Sequence, residues 1–348
     1  MTPLRVAVVG VGYWGPNLVR NLFELPTTSP TWVVDPSPAA RQRVTLRYPS
    51  IREASEIDEV LTDDSLDAVA IATPVSTHFD LAARALRAGK HVFVEKPLAA
   101  SSSEAVELIG IAETRGLVLM PGHTFLYSPP VVKIKELIDS GEVGDILFVT
   151  TSRVNLGLHQ PDVSVVWDLG PHDFSILRYL LDELPATASA LSRSCVLPGI
   201  PDVAFINLTY PSGTIAHVEL SWLAPSKLRR TAIVGTRKMV VYDDTATEPV
   251  RIFDTGADLP DPGSFGEFRL TYRSGDIISP RVAATEPLSL ELAEFAEAAR
   301  GASVRELRSS AQVGLDVIRT IEAVERSLAE EGRPVQVGIE PHEERVER

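Results

Sequence analysis

The opening fifteen residues constrain the fold more than any other stretch of the chain. A Val-rich apolar run from Leu4 to Val9 stops at three glycines spaced as G-x-G-x-x-G, and the apolar periodicity of a helix follows. This order predicts a buried strand, a tight turn and a helix N-terminus. In such a turn Gly10 reverses the chain, Gly12 lets backbone approach a pyrophosphate, and Gly15 lets the helix pack on the strand. The free N–H groups of the helix then face the anion.

A carboxylate after the second predicted strand supports a dinucleotide site. The strand ends in Asp35, where a carboxylate accepts hydrogen bonds from both hydroxyls of an adenine ribose and repels a 2′-phosphate. The sequence therefore predicts NAD in preference to NADP. Ser37 and Arg41 lie just downstream and are candidate phosphate ligands, so NADP stays an alternative. The competing interpretation is a glycine-rich turn in some other parallel α/β protein.

Length, charge and cysteine content limit the classes of function. With 348 residues the chain is long enough for two domains, and a formal charge of −14 disfavours nucleic acid and anionic membranes as partners. No apolar run approaches the roughly 20 residues of a membrane span. The start of the chain shows no export signal, and a single cysteine, Cys195, fits a reducing compartment, so we expect a cytoplasmic protein. We expect Cys195 to be a small core residue rather than a nucleophile.

The alternation of predicted elements divides the chain near residue 122. Residues 1–122 alternate strand and helix, which predicts an α/β fold with a doubly wound parallel sheet of Rossmann type. Residues 123–340 predict an α+β domain with a mostly antiparallel sheet, a helix from about Pro171 to Leu181 and two closing helices near 288–300 and 310–329. We predict a long loop over 253–285 and a disordered charged tail over 341–348.

Four polar clusters stand out beyond the opening motif. The first two follow the carboxyl ends of predicted strands, the third lies at the domain boundary, and the fourth lies at a predicted helix start. They are Thr73-Pro74 with His78, Glu95-Lys96-Pro97, Gly122-His123, and Asp168 with His172. Each also has a structural explanation: a capped turn, a surface ion pair, a core histidine and a helix N-cap, respectively.

Together these clusters make the chain resemble the glucose–fructose oxidoreductase / inositol dehydrogenase (Gfo/Idh/MocA) family over essentially its whole length. The resemblance implies a Rossmann domain joined to a domain with a large, open-faced, mostly antiparallel sheet. It implies a homodimer or homotetramer through that sheet. It also implies that Lys96, Asp168 and His172 form the catalytic group beside the nicotinamide.

The resemblance extends to a branch of the family and to binding residues. Residues 12–21, 153–157 and 167–173 look like a sugar-nucleotide branch similar to UDP-N-acetylglucosamine 3-dehydrogenases and deoxysugar ketoreductases. Inositol or a free sugar is the alternative substrate. We predict cofactor contacts at Gly10, Gly12, Tyr13, Trp14, Gly15, Asp35, Ser37, Thr73, Pro74, His78, Glu95 and Lys96. We predict substrate contacts at His123, Tyr127, Arg153, Asn155 and His172.

Oxidation of a secondary alcohol requires removal of a hydride and a proton at the same carbon centre. We predict that His172 removes the proton and that Asp168 orients the His172 ring. Lys96 is predicted to stabilise the negative charge of the developing alkoxide. The alternative is Lys96 as the base, with a pKa lowered by burial and a nearby cofactor cation. No metal is expected. Two functions of other classes remain open: a cofactor-binding regulator without turnover, and a scaffold that assembles through the open sheet.

Overall fold

The computed structural model describes residues 2–157, 159, 163–258, 271–301 and 307–338. The chain forms two compact units, Met1–Ser128 with Thr285–Arg319 and Pro129–Ala284 with Thr320–Arg348. These units differ from the continuous domains 1–122 and 123–340 that the sequence predicts, because the chain returns to the first unit after residue 284. The predicted tail over 341–348 lies outside the described residues.

The first unit contains a six-stranded parallel sheet with the order β3-β2-β1-β4-β5-β6. The order reverses between β1 and β4, and ligands of open α/β sheets bind at the carboxyl edge beside such a reversal. The central strand β4 is wholly buried, and the three middle residues of β5 are buried, as the apolar runs predict. The strands are β1 (Leu4–Val9), β2 (Thr28–Val34), β3 (Arg52–Ala54), β4 (Ala68–Ile71), β5 (His91–Glu95) and β6 (Leu119–Gly122).

Helices connect these strands and close the chain. The predicted helix near 288–300 is present and belongs to the first unit, while the last helix is divided between the two units. The helices are α1 (Gly15–Glu24), α2 (Pro38–Arg47), α3 (Ile57–Leu61), α4 (His78–Arg87), α5 (Ser102–Arg115), α6 (Pro129–Asp139), α7 (Val165–Leu181), α8 (Pro287–Ala299) and α9 (Ala311–Ala329). Among the described residues, no helix is long and apolar enough to span a bilayer.

The second unit contains a nine-stranded sheet with the order β14-β13-β12-β11-β7-β10-β9-β8-β15. The pairing of β7 with β10 is parallel, and the other pairings between its described strands are antiparallel. The predicted fold class is therefore confirmed. The strands are β7 (Ile146–Leu156), β8 (Thr187–Arg193), β9 (Val203–Thr209), β10 (Ile215–Ser221), β11 (Leu223–Gly235), β12 (Met239–Asp243), β13 (Val250–Asp258), β14 (Thr271–Ile278) and β15 (Val335–Gln336).

The two faces of this sheet differ in exposure. Helix α7 lies against β7, β9 and β10, and the side chains of β9 alternate between buried Ala204, Ile206 and Leu208 and exposed Phe205 and Asn207. An alternation of this kind is typical of an antiparallel sheet with one covered face. On the opposite face the side chains of Phe148, Phe205 and Ile215 are exposed, so in the described part of the second unit this face is open, as predicted.

Three local predictions are wrong. The segment predicted as a loop over 253–285 contains β14 and most of β13; these strands pair through backbone hydrogen bonds and lack a clear apolar alternation. The helix predicted to begin at Pro171 begins at Val165, because the Ser164 hydroxyl accepts from the Trp167 N–H and caps it, and Pro171 lies inside. Cys195 is exposed rather than buried, because β8 ends before it, at Arg193.

Candidate active site

The glycines after β1 shape a crevice at the carboxyl edge of the parallel sheet. Gly10 has a φ of 84°, and a Cβ built on it would lie 2.6 Å from the carbonyl oxygen of Ala72. A Cβ on Gly15 would lie 1.9 Å from the Gly10 oxygen. By contrast, no described atom lies within 4 Å of a Cβ built on Gly12. Gly10 and Gly15 are therefore required by packing, while Gly12 leaves room for a ligand against the backbone.

Asp35 lies at the wall of this crevice, which has a volume of about 690 Å³. The backbone N–H of Val11 donates to its Oδ2 at 2.9 Å, and the N–H of Ser37 donates to its Oδ1 at 2.8 Å. A carboxylate has about four acceptor positions, so two backbone donors fix its direction and leave capacity for two ribose hydroxyls.

The residues considered as 2′-phosphate ligands are engaged elsewhere. The Ser37 hydroxyl accepts from the N–H of Ala40 at 3.3 Å and caps α2. The guanidinium of Arg41 donates to the Asp35 carbonyl at 2.6 Å and lies 3.7 Å from a Glu53 carboxylate oxygen. These contacts favour NAD over NADP, in agreement with the charge of Asp35.

The start of α1 suits an anion. Its first turn contains no acidic residue and begins Gly15-Pro16, so the positive end of the helix dipole is not neutralised by a side chain of that turn. Tyr13 is 95% exposed. The indole N–H of Trp14 donates to Oε1 of Glu95 at 2.5 Å, which ties the turn after β1 to the end of β5.

His78 connects two of the polar clusters. It is buried, and its ring nitrogens lie 2.8 Å from the Pro97 carbonyl oxygen and 2.9 Å from the Thr73 carbonyl oxygen. The Thr73-Pro74 turn after β4 and the Lys96-Pro97 turn after β5 are thereby linked. His78 therefore holds the two turns together through its ring nitrogens. Direct contact of His78 with the cofactor stays a prediction.

In the second unit, Asp168 and His172 lie one turn apart in α7. Residues at this spacing occupy the same face of a helix, with Cβ atoms about 5–6 Å apart. Asp168 Oδ2 accepts a hydrogen bond of 3.1 Å from the indole N–H of Trp222. The two residues therefore share a helical face, with the carboxylate held from the sheet side.

The residues matched by family profiles decide the assignment. Residues 4–123 match the oxidoreductase family with an NAD-binding Rossmann fold, and residues 131–241 match the GFO/IDH/MocA C-terminal domain. The chain belongs to the Gfo/Idh/MocA oxidoreductase family. It is an NAD-binding oxidoreductase of that family, as the resemblance of its motifs implies.

The names of similar proteins specify different substrates, an inositol in one case and a nucleotide sugar in another. The chain is 29% identical over 245 residues to scyllo-inositol 2-dehydrogenase (NAD(+)) of Bacillus subtilis (strain 168), and 29% identical over 236 residues to UDP-N-acetylglucosamine 3-dehydrogenase of Acidithiobacillus ferrooxidans. Each match covers 67% of this chain and 72% of the relative. A match to an uncharacterised oxidoreductase of Streptococcus pneumoniae covers 62% of that relative's length.

A solved structure extends the similarity to nearly the whole chain. GenD2 from gentamicin A biosynthesis, solved in complex with NAD, is 26% identical to the oxidoreductase, with a TM-score of 0.80. The similarity covers 97% of each chain.

Burial shifts the pKa values of three side chains in the first unit, and the charge of Lys96 acts on two of them. Burial raises the pKa of Glu95 to about 7, against the opposing effects of the Trp14 hydrogen bond and the Lys96 charge. Burial and the Lys96 charge lower the pKa of His123 to about 3. Burial, with the nearby Glu95 charge, raises the pKa of Glu291 well above its usual range. His123 is therefore neutral near pH 7.

The remaining predicted substrate residues lie in different environments. His123 is buried, and neither of its ring nitrogens has a hydrogen-bond partner among the described residues. Tyr127 is buried and its hydroxyl accepts from the Ser309 N–H at 3.3 Å. Arg153 is buried on β7, with its Nε 2.5 Å from an Asp173 carboxylate oxygen, while Asn155 on the same strand is half-buried. Substrate contact by these four residues stays a prediction.

Trp222 and Glu291 are parts of these environments that sequence reasoning missed. Trp222 follows β10 and reaches Asp168, 54 positions earlier in the chain. Glu291 on α8 is buried and accepts from the Thr124 hydroxyl at 2.7 Å. Glu291 lies in an otherwise apolar face of α8, and this pattern could have identified it from the sequence. No comparable sequence pattern indicates Trp222. Among the described residues, no group of three or more His, Cys, Asp or Glu is arranged to hold a metal.

Proposed function

We propose that the oxidoreductase transfers a hydride between NAD and a secondary alcohol or ketone of a sugar, with Lys96, Asp168 and His172 as the catalytic group. The observation that carries the proposal is the Asp168 carboxylate, fixed by the Trp222 indole at 3.1 Å with His172 one turn later on the same helix. A histidine beside a fixed carboxylate is a common arrangement for proton transfer.

The crevice of the first unit supports the cofactor part of the proposal. The Gly12 backbone and the start of α1 would hold the pyrophosphate, and Asp35 would hold the adenine ribose. Bound NAD supplies the hydride acceptor for oxidation. Tyr13, Trp14 and the Thr73-Pro74 turn line the same crevice and are proposed to contact the cofactor.

The protein must supply the proton chemistry. We assign His172 as the base that takes the proton from the substrate hydroxyl as its carbon loses the hydride, and as the acid that returns it in the reverse reaction. Asp168 stabilises the imidazolium and fixes the ring. Lys96 donates a hydrogen bond to the same substrate oxygen and stabilises the negative charge that develops on it. The alternative has Lys96 as the base.

We propose a nucleotide sugar as the substrate, and inositol or a free sugar as the second candidate. The branch motifs at 12–21, 153–157 and 167–173 support the first, as does a 35% identity over 150 residues to dTDP-3,4-didehydro-2,6-dideoxy-alpha-D-glucose 3-reductase of Streptomyces violaceoruber, over 43% of this chain. The inositol dehydrogenases among the relatives support the second.

A substrate panel tests the proposal. Inositols, free sugars, UDP-sugars and dTDP-sugars are incubated with NAD, and reduced cofactor is followed by its absorbance. With the panel compound oxidised fastest, Lys96→Ala and His172→Ala should lower kcat by at least about 100-fold, because charge-stabilising and acid–base groups are worth roughly 10²–10³ in rate. The dissociation constant of NAD should stay within about threefold of the original protein's.

A lysine outside the site is the matched control. Lys133 on α6 pairs with Glu136 at 3.0 Å on the surface, so Lys133→Ala should keep its rate. If Lys96→Ala and His172→Ala each retain more than a tenth of kcat, the assignment is wrong. NAD binding without oxidation of any panel compound would instead support the regulator.

We also propose that the open face of the nine-stranded sheet joins copies of the chain into a dimer or tetramer. Phe148, Phe205 and Ile215 on this face are 43%, 46% and 52% exposed within the chain. Exposed apolar groups on one face mark interaction sites. We propose a cytoplasmic location as well, which is consistent with Cys195 as the single thiol of the sequence.

A further inference from the structure

The backbone of Trp222 is fixed on two sides. It lies directly after β10, and its N–H donates to the Asp202 carbonyl at 2.9 Å. Its own carbonyl accepts from the Gly157 N–H at 2.9 Å, just past the end of β7. The residue is 1% exposed. The main chain at Trp222 is therefore held by the segment after β7 and by the segment before β9.

The indole ring is confined as closely as its backbone. A Cβ built on Gly157 would lie 2.6 Å from Cδ1 of the indole, so a glycine is needed there for the ring to fit. The His159 ring meets the indole edge-on, with centroids 5.4 Å apart and planes at 65°. His159 Nε2 in turn lies 3.6 Å from a carboxylate oxygen of the fully buried Asp202. These contacts restrict the direction in which the indole N–H points. The N–H points toward Oδ2 of Asp168.

We propose that Trp222 is a positioning residue for proton transfer: its indole N–H fixes the carboxylate of Asp168, and through it the imidazole of His172. The inference rests on the proposed function, since it assumes that Asp168 and His172 serve the proton transfer. An indole N–H is a donor only and does not titrate, so a change of pH does not remove this donor from the Asp168 carboxylate. A carboxylate so fixed presents its remaining acceptor positions in one orientation to the next turn of α7.

The packing of Trp222 can be separated from its hydrogen bond. Trp222→Phe keeps an aromatic ring against Gly157 and His159 and removes the N–H. The matched control is Trp167→Phe, because the Trp167 indole donates to Glu325 Oε1 at 2.5 Å from the residue next to Asp168 on the same helix. The control variant removes an indole hydrogen bond to a carboxylate from α7 without removing a donor from Asp168.

A double-mutant cycle with the panel compound oxidised fastest tests the inference. Trp222→Phe should lower kcat about tenfold, the scale of a hydrogen bond to a charged catalytic group, with KM and the dissociation constant of NAD within about threefold. Trp167→Phe should stay within twofold of the original protein. In an Asp168→Ala background, Trp222→Phe should cost less than twofold more, since residues that act as a unit give non-additive losses.

The outcomes separate the two proposals. Full additivity in the cycle, or an equal loss in Trp167→Phe, overturns the positioning role. Unchanged kcat in Trp222→Phe with a slow His172→Ala overturns the positioning role alone. Normal kcat in His172→Ala overturns the proposed function, and the positioning role with it.

If Trp222→Phe does not fold, a measurement without substrate tests the inference. In ¹⁵N-labelled protein, Asp168→Ala should move one indole N–H resonance that Glu325→Gln leaves in place. If Asp168→Ala leaves the indole resonances of all four tryptophans unmoved, the inference is overturned.

Discussion

Replacing Glu95 with glutamine should stabilise the protein at alkaline pH and leave it nearly unchanged at acid pH. The carboxyl group lies under Gly122, where a Cβ would be 3.1 Å from Oε2 and 3.1 Å from a ring carbon of Phe93. Burial there raises the pKa of Glu95 from 4.5 to about 7. The Trp14 indole donates to Oε1, and the amide oxygen of glutamine can accept the same hydrogen bond.

The sign follows from the protonation of the two states. Below pH 4.5 the carboxyl group is protonated both folded and unfolded, and burial of the neutral acid has no ionisation cost. Between pH 4.5 and 7 the unfolded chain loses the proton while the folded protein keeps it, so the free energy of unfolding falls as pH rises. Above pH 7 the loss is complete and constant. Glutamine stays neutral throughout and escapes this loss.

The magnitude is limited by the difference between the two pKa values. At about 1.36 kcal/mol per pH unit, a pKa of about 7 against 4.5 corresponds to at most about 3 kcal/mol. Glu95 is only half-buried as a whole residue, and solvent screening reduces the figure to about 1.5–3 kcal/mol. For a unit of this size that is several degrees in Tm.

Thermal unfolding of both proteins at pH 4.5 and pH 8.5 measures the effect. Asp63→Asn is a control of opposite sign. Hydrogen bonds from Ser65, Trp32 and Arg52 hold the pKa of Asp63 well below its usual range, so its ionised form is stabilising and that stability is present at neutral pH and lost toward acid. Both pH values lie above the ordinary aspartate pKa of 3.8, so Asp63→Asn should lower Tm by nearly the same amount at pH 4.5 and at pH 8.5. An equal change in Tm for Glu95→Gln at both pH values would refute the reasoning.

Three further predictions concern other parts of the chain. Asp35→Gly should raise the relative affinity for NADP by removing the charge that repels a 2′-phosphate; an unchanged ratio of the two dissociation constants would count against the ribose assignment. Gly157→Ala should destabilise the second unit by about 1–3 kcal/mol, because its Cβ would lie 2.6 Å from the Trp222 ring; a wild-type Tm would contradict the packing. Phe205→Glu should give a smaller assembly by light scattering at micromolar concentration, and a monomeric original protein would contradict the proposed interface.

The elements of the first unit were predictable because local pattern and burial agree there. The runs at Leu4–Val9 and Ala68–Ile71 are strands in the middle of the sheet, and an apolar run between turn residues is the strongest local signal of a buried parallel strand. The segment over 253–285 was not predictable in this way. Its strand β14 is an edge strand of the nine-stranded sheet, and β13 lies next to it. Side-chain patterns depend strongly on such a context, so strands near a sheet edge need no regular apolar alternation.

The start of α7 shows how one local rule can outweigh another. Proline is favoured in the first turn of a helix, and on this basis Pro171 predicts a helix start. The structure instead begins the helix at Val165, where Ser164 provides the cap and both Val165 and Val166 are buried. Burial of two apolar side chains and a capping hydrogen bond offset the hydrogen bond that an internal proline cannot make. Asp168 is consequently a helical residue on the same face as His172, and not the N-cap.

The motifs predicted the candidate catalytic residues, while the groups that contact them came only from the structure. Glu95, Lys96 and Asp168 could be named because their residue types and spacing are restricted by chemistry. The groups that hold them need only supply a donor at the correct place, and many residue types at many chain positions can do so. Trp222 meets Asp168 across 54 positions, and a ring nitrogen of His78 lies against the carbonyl oxygen of Pro97, the residue after Lys96. Tertiary packing determines such pairs. The ionisation and orientation of the side chains in a site are therefore harder to predict from sequence than the identity of its residues.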